Sequence, residues 1–238
     1  MKKVFYTEAA YLVGLVLLAV GAMFMEKSDF GVSMILAPAY ILYRWLNPLW
    51  SWFSFGVASY CYQAILLAGM SLALRRFRIS YLLSFVTAFL FGLVLDAAMA
   101  ICHGLPTDAF WQRAVYYGLG VVLGAAGVSM MFRTYLPPEA YELLVKEVSA
   151  HLGCDIHRCK LVYDCVSCAV SILMSFAIFG VGQFVGVKWG TPLCALVNGV
   201  VISLFSRLYQ SLWEFRDALP WRPFFTGEPR VGAPVGGE

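Results

Sequence analysis

The stretch "HLGCDIHRCKLVYDCVSC", residues 151–168, holds two histidines and four cysteines. His151, Cys154, His157 and Cys159 are soft-to-borderline ligands that could surround Zn²⁺ tetrahedrally. Their H-x₂-C-x₂-H-x-C spacing matches no standard zinc signature. Cys165 and Cys168 form a C-x₂-C pair one helical turn apart, which suits handing on a metal better than forming a disulfide. The segment then runs into strongly apolar sequence, where cysteine acts as a small hydrophobe. The balance favours sulfur as helix filling with no resident cofactor, and a metal- or thiol-handling protein stands as the alternative. The seven cysteines at these spacings spell out no disulfide framework.

A second set of candidates is polar groups inside apolar runs, where a central charge costs at least about 2.5 kcal/mol. Asp96 in "GLVLDAAMA", Asp164 in "KLVYDCVS", Asn198 in "ALVNGVV" and Gln63 in "YCYQAIL" are the strongest. They would line a solute pathway, with Asp96 and Asp164 as the titratable pair. The alternative is local: Asp164 is about two turns from Arg158 at an interface, and Asp96 is near a span end, so snorkelling and interhelical hydrogen bonds would satisfy both. Ser33, at the break "EKSDFGVS", could offer a helix N-terminus to an anion. Gly31 and Pro38 shape the backbone there, and Gly21 and Gly127 allow close helix approach. No nucleophile–base–acid arrangement, phosphate loop or paired-carboxylate motif occurs, so nothing indicates an enzyme.

These residues must be positioned by membrane helices. The 238-residue chain is 61% hydrophobic and 13% charged, with mean hydropathy +0.76. Six long apolar runs, at 8–25, 51–74, 80–102, 111–132, 158–180 and 190–212, are long enough to cross a bilayer. Residues 31–46 are apolar but short, and 138–152 are amphipathic, with Tyr141, Leu144, Val145, Val148 and Leu152 on one face. With six crossings and the N-terminus inside, only Lys27, Arg44, Arg113 and Lys188 of the 17 basic residues fall outside. Both termini are therefore expected in the cytoplasm of a bacterium, with the chain in its inner membrane. The net charge of +3 has no aromatic interleaving and gives no sign of nucleic-acid binding.

The order of elements recurs. "GLVLLAVGAMF" (14–24) aligns with "GVVLGAAGVSM" (120–130), setting Gly14 on Gly120 and Gly21 on Gly127, and Gly92 aligns with Gly199. Each half holds three spans and a short helix. An odd span count inverts the second half, so the expected fold is all-α: six transmembrane helices plus two short re-entrant or interfacial helices in two inverted-topology repeats. The repeats are 1–106 and 107–215, followed by a proline- and glycine-rich cytoplasmic tail at 216–238.

Three stretches carry a family resemblance: "GAMFMEKSDFGVSMILAP" (21–38), "FGLVLDAAM" (91–99) and "HRCKLVYDCV" (157–166). Over about residues 10–210 the chain resembles the YczE/YitT-like bacterial membrane proteins. That resemblance implies a polytopic inner-membrane protein of transporter character. In the second half "FRTYLPPEAY" lacks the family's Asp-Leu-Gly break. The expected partners are the lipid bilayer, a small-molecule solute and a second copy in a homodimer, since so small a bundle has little material to enclose a pathway alone. A substrate-capturing or accessory subunit of a larger importer is the competing reading.

Overall fold

The structure is a computed structural model that describes residues 3–75, 79–154 and 156–222. In chain order the elements are β1 (Lys3–Tyr6), α1 (Thr7–Ser28), α2 (Ala37–Leu46), α3 (Phe55–Leu74), α4 (Ile79–Ile101), α5 (Phe110–Met131), α6 (Ala140–Leu152), α7 (Ile156–Phe179), α8 (Gly190–Leu212) and β2 (Trp213–Arg216). Six helices, α1, α3, α4, α5, α7 and α8, are long and apolar enough to cross a bilayer. At 1.5 Å per residue, α2 and α6 reach only about 15 and 20 Å, short of the ~30 Å hydrocarbon core. The chain is a multi-pass helical membrane protein.

Its centre is the antiparallel pair α1 and α5, whose spans are 50% and 56% buried against 17% for α7 and 11% for α8. Glycine makes this pairing close. A Cβ on Gly21 would stand 2.6 Å from the Gly124 nitrogen, and one on Gly127 would stand 2.5 Å from the Gly14 oxygen. Small residues at a crossing bring backbones together and raise dispersion contact, which is what drives helix association in lipid. Leu15, Ala19 and Met23 of α1 continue the core toward Phe91 and Leu95 of α4 and Phe55 of α3.

The two halves differ in their outer helices. α3 and α4 form a packed hairpin that crosses at Gly56 and Gly92, whereas α7 and α8 share no comparable interface among the described residues. Instead α7 packs on α2 and α6, and α8 on α5. The short elements also cross over between halves, α2 reaching α7 and α6 reaching α3.

One feature departs from the sequence expectation. Helix α2 starts at Ala37, not 31, because Gly31 is at φ 110° and the Val32 N–H donates to the Gly186 carbonyl, at 3.0 Å. The chain therefore leaves α1 without helix at 31–33, turns at 34–36 with the Leu36 N–H donating to the Ser33 carbonyl at 3.0 Å, and Pro38 stands in the first turn of the helix. The fold is all-α as expected, with one small addition: a parallel pairing of β1 with β2, from Lys3 opposite Trp213 to Tyr6 opposite Arg216. Phe5 stacks on Trp213 with ring centroids 5.0 Å apart, and Thr7 Oγ1 donates to Asp217 Oδ1 at 3.0 Å. Both described chain ends therefore meet at one end of the bundle.

Candidate functional site

Beside the glycine contacts of α1 and α5 lies a small cavity of about 50 Å³, part of it open to the outside. Its apolar wall includes Leu18, Ala22 and Met25 from α1, Gly124 from α5 and Phe91 from α4. Its polar wall comes from the two short elements: Ser33 before α2, and Glu139 and Glu142 at the start of α6. Tyr141, Lys160 of α7 and Asn198 of α8 complete that side.

The start of α6 is held inside the bundle by side chains from the first half. Ser84 Oγ donates to the Pro138 carbonyl at 2.9 Å, and Thr87 Oγ1 to the Pro137 carbonyl at 3.1 Å. Those two residues are roughly 8–12 Å along α4 from its first residue. The prolines present carbonyls without N–H groups of their own to satisfy, which suits a buried chain entry. Gln63 of α3 then accepts the Ala140 N–H at 3.1 Å. It supplies the cap that the first turn needs.

Because Gln63 caps the helix, Glu139 does not. This residue is 1% exposed, makes no side-chain capping bond, and leaves Oε1 without a hydrogen-bond partner. Burial pushes its carboxyl well above the usual carboxylate range, and the neighbouring Glu142 pushes the same way. Burial likewise raises Glu142 to about 7, against the pull of Lys160. Lys160 Nζ is 5.9 Å from the centre of the Tyr141 ring.

The α2 side is fixed differently. A Cβ at Gly31 would come within 2.5 Å of Thr191 Oγ1. That hydroxyl donates to the Val32 carbonyl at 2.8 Å, while the Gly190 N–H donates to the Phe30 carbonyl at 2.9 Å. Beyond it, Asp29 pairs with Arg113 at 2.8 Å and Lys188 at 2.6 Å, tying the end of α1 to the starts of α5 and α8.

Of the residues singled out by sequence, the cavity brings together Ser33, Asn198 and Gly21. Gly127 belongs to the α1–α5 contact, and Gly31 and Pro38 shape the entry to α2. Gln63 serves as the α6 cap rather than as a cavity wall. Asp96 caps α3: it accepts from Ser54 Oγ and, at 2.7 Å, from the Gly56 N–H. Asp164 is partly buried on α7 with Oδ1 unpartnered, outside the lining itself but near enough to act electrostatically on the lining residues Tyr141, Lys160 and Cys194. The side chains of His157 and Arg158 lie outside the described residues.

The sulfur cluster is rearranged. Gly153 turns the chain at φ 62°, and Cys154 closes a disulfide with Cys159, Cα atoms 6.8 Å apart. Two of the four proposed zinc donors are thereby bonded to each other, and no group of three metal-binding side chains occurs among the described residues. Cys165 and Cys168 are free. Sequence reasoning missed Glu139 and Glu142, because it searched the spans for buried charge and read 138–152 as an interfacial face. The repeat alignment held the signal, since it sets Glu139 on Ser33.

Residues 5–207 match a family of unknown function, DUF6198. The chain belongs to the DUF6198 family. The DUF6198 match covers all eight helices but for the last turn of α8, so cavity and family region coincide. No curated protein and no solved structure matches the chain.

Proposed function

We propose that this protein is an inner-membrane transporter that moves a small solute through the cavity between two inverted repeats, 1–106 and 107–215. One observation carries the reading: ten of the nineteen residues of the cavity wall fall at corresponding positions of the two halves. The offset that sets Gly14 on Gly120 also sets Leu18 on Gly124, Ala22 on Val128, Ser33 on Glu139, Ile35 on Tyr141 and Leu36 on Glu142. All ten of these paired wall residues line the cavity. The contacts at the crossing obey the same exchange, since Gly14 meets Gly127 and Gly21 meets Gly120. A pathway on such an axis can open to either side by the same motion run in opposite senses, which is the logic of inverted-repeat transporters.

The bacterial inner membrane, the cytoplasmic termini, the YczE/YitT-like resemblance and the homodimer belong to the same proposal. The positive-inside distribution supports the orientation, and the sparsely buried α7 and α8 offer the faces for a second copy. Purified protein in liposomes tests the core of it. Flux of at least one solute from a broad panel should exceed that of protein-free vesicles, and Ala22→Trp, which fills the cavity, should abolish it. Folded protein that moves nothing alone, yet co-purifies with an ATPase, would favour the accessory-subunit reading instead.

A further inference from the structure

The chemistry of the cavity wall narrows the solute, on the premise that the cavity is the pathway. Two carboxylates enter it from the first turn of α6. Lys160 acts on Glu142, whose carboxyl it pulls down, and it also overlies Tyr141. Among the described residues no cation acts on Glu139 in the same way, and its Oε1 is both buried and unpartnered. The usual structural use of an acidic residue at a helix start, bonding the first N–H groups, is already met by Gln63. An unsatisfied buried carboxylate is costly, and a protein keeps one where a ligand completes it.

The rest of the wall says what kind of ligand. A hard divalent ion takes six or more oxygens. Here two carboxylates, Ser33 and Asn198 share the wall with Leu18, Ala22, Met25 and Phe91. A charged head beside an apolar body fits this mixture, and the faces of Phe91 and Tyr141 are attractive to an ammonium group. Lys160 is shared between Glu142 and Asp164, and among the described residues no cation acts on Glu139, which leaves a place there for one positive charge.

We infer that the cavity binds a small organic cation of the protonated-amine class, with Glu139 as the residue that holds the ammonium group. The full-length protein in detergent tests this by thermal unfolding, with methylammonium chloride titrated against sodium chloride and potassium chloride at equal ionic strength. Sodium acetate serves as the anion control. Methylammonium should raise the melting temperature saturably and beyond the other salts, because a ligand that binds only the folded state stabilises it by mass action. Glu139→Gln should remove that rise while folding at least as stably, since the amide has nearly the shape of the buried acid and never takes a charge there, and Glu139→Asp should keep part of it. If Glu139→Gln does not fold, Glu142→Gln decides. It frees Lys160 to neutralise Glu139 and should weaken methylammonium binding by about tenfold or more.

A shift equal to that of potassium, no shift, or a shift that survives both glutamine substitutions overturns the inference. Flux of an uncharged solute without methylammonium binding would remove this inference and leave the transport reading standing. Methylammonium binding without flux of any solute would do the reverse.

Discussion

Glu139 and Glu142 make the stability of the protein depend on pH in a direction opposite to that of most carboxylates. Both carboxyls are raised by burial, Glu142 from an ordinary 4.5 to about 7. A raised acid keeps its proton in the folded state after the unfolded chain has lost it, so folding is favoured at low pH. The contribution is complete below about 4.5 and is lost as pH rises through about 7. Melting temperature in detergent should therefore fall across that window, and Glu142→Gln should flatten the slope. An unchanged slope in the variant would remove Glu142 as its source. The glycines give a second residue-scale prediction. Gly21→Leu drives a side chain into the α5 backbone and should cost at least the 1–3 kcal/mol typical of overpacking, while Gly69→Ala, with open space around it, should be near neutral. Equal melting temperatures for the two variants would contradict the close α1–α5 contact.

At the scale of elements, the six spans were legible because a bilayer imposes one length and one composition on every crossing. The runs read at 80–102 and 190–212 became α4 at Ile79–Ile101 and α8 at Gly190–Leu212. The short elements were harder to read. Hydropathy sees 31–46 as continuous, whereas a positive φ at Gly31 and a hydrogen bond to a residue far along the chain delay the helix to Ala37. The hydrogen bond is not local, and hydropathy carries no sign of either cause. Asp96 was noticed as a costly group that interhelical hydrogen bonds would satisfy, and the start of α3, far away in sequence, supplies them. The β1–β2 pair was invisible because four-residue strands carry too little pattern. Gln63→Leu tests the cap on α6: the Ala140 N–H loses its partner, and melting should reveal a loss of about 1–3 kcal/mol. No loss would mean that water or another group caps the helix. The Cys154–Cys159 bond tests orientation. If the α6–α7 turn faces the cytoplasm, the pair is kept reduced there, and both sulfurs should be alkylated when intact cells are quenched with N-ethylmaleimide. A disulfide recovered from quenched cells would turn the chain over in the membrane.

For the whole molecule, the α1–α5 pair is latched at both ends and flanked by the cavity between them. One latch joins Asp29 to Arg113 and Lys188, and the other joins Tyr135 to Glu8, with the Tyr135 hydroxyl donating at 2.8 Å. Exposed ion pairs such as those of Asp29 are worth about 0–1 kcal/mol, so breaking one should hardly change stability but should change which end of the cavity opens. Asp29→Asn, which removes the ion pairs and suits the left-handed backbone at φ 52°, is thus expected to leave the melting temperature nearly unchanged and to raise water access to Ser33 from that end. The central claim is that a water-accessible route runs between the halves through equivalent positions. Substituted-cysteine labelling measures it most directly, with Ser33→Cys and Glu139→Cys placed singly in a chain whose free cysteines are replaced by serine. A small membrane-impermeant thiol reagent should label Ser33→Cys from one side of the membrane and Glu139→Cys from the other. If both sites stay unlabelled from either side while the protein remains folded, the cavity is sealed packing and the account of a pathway fails.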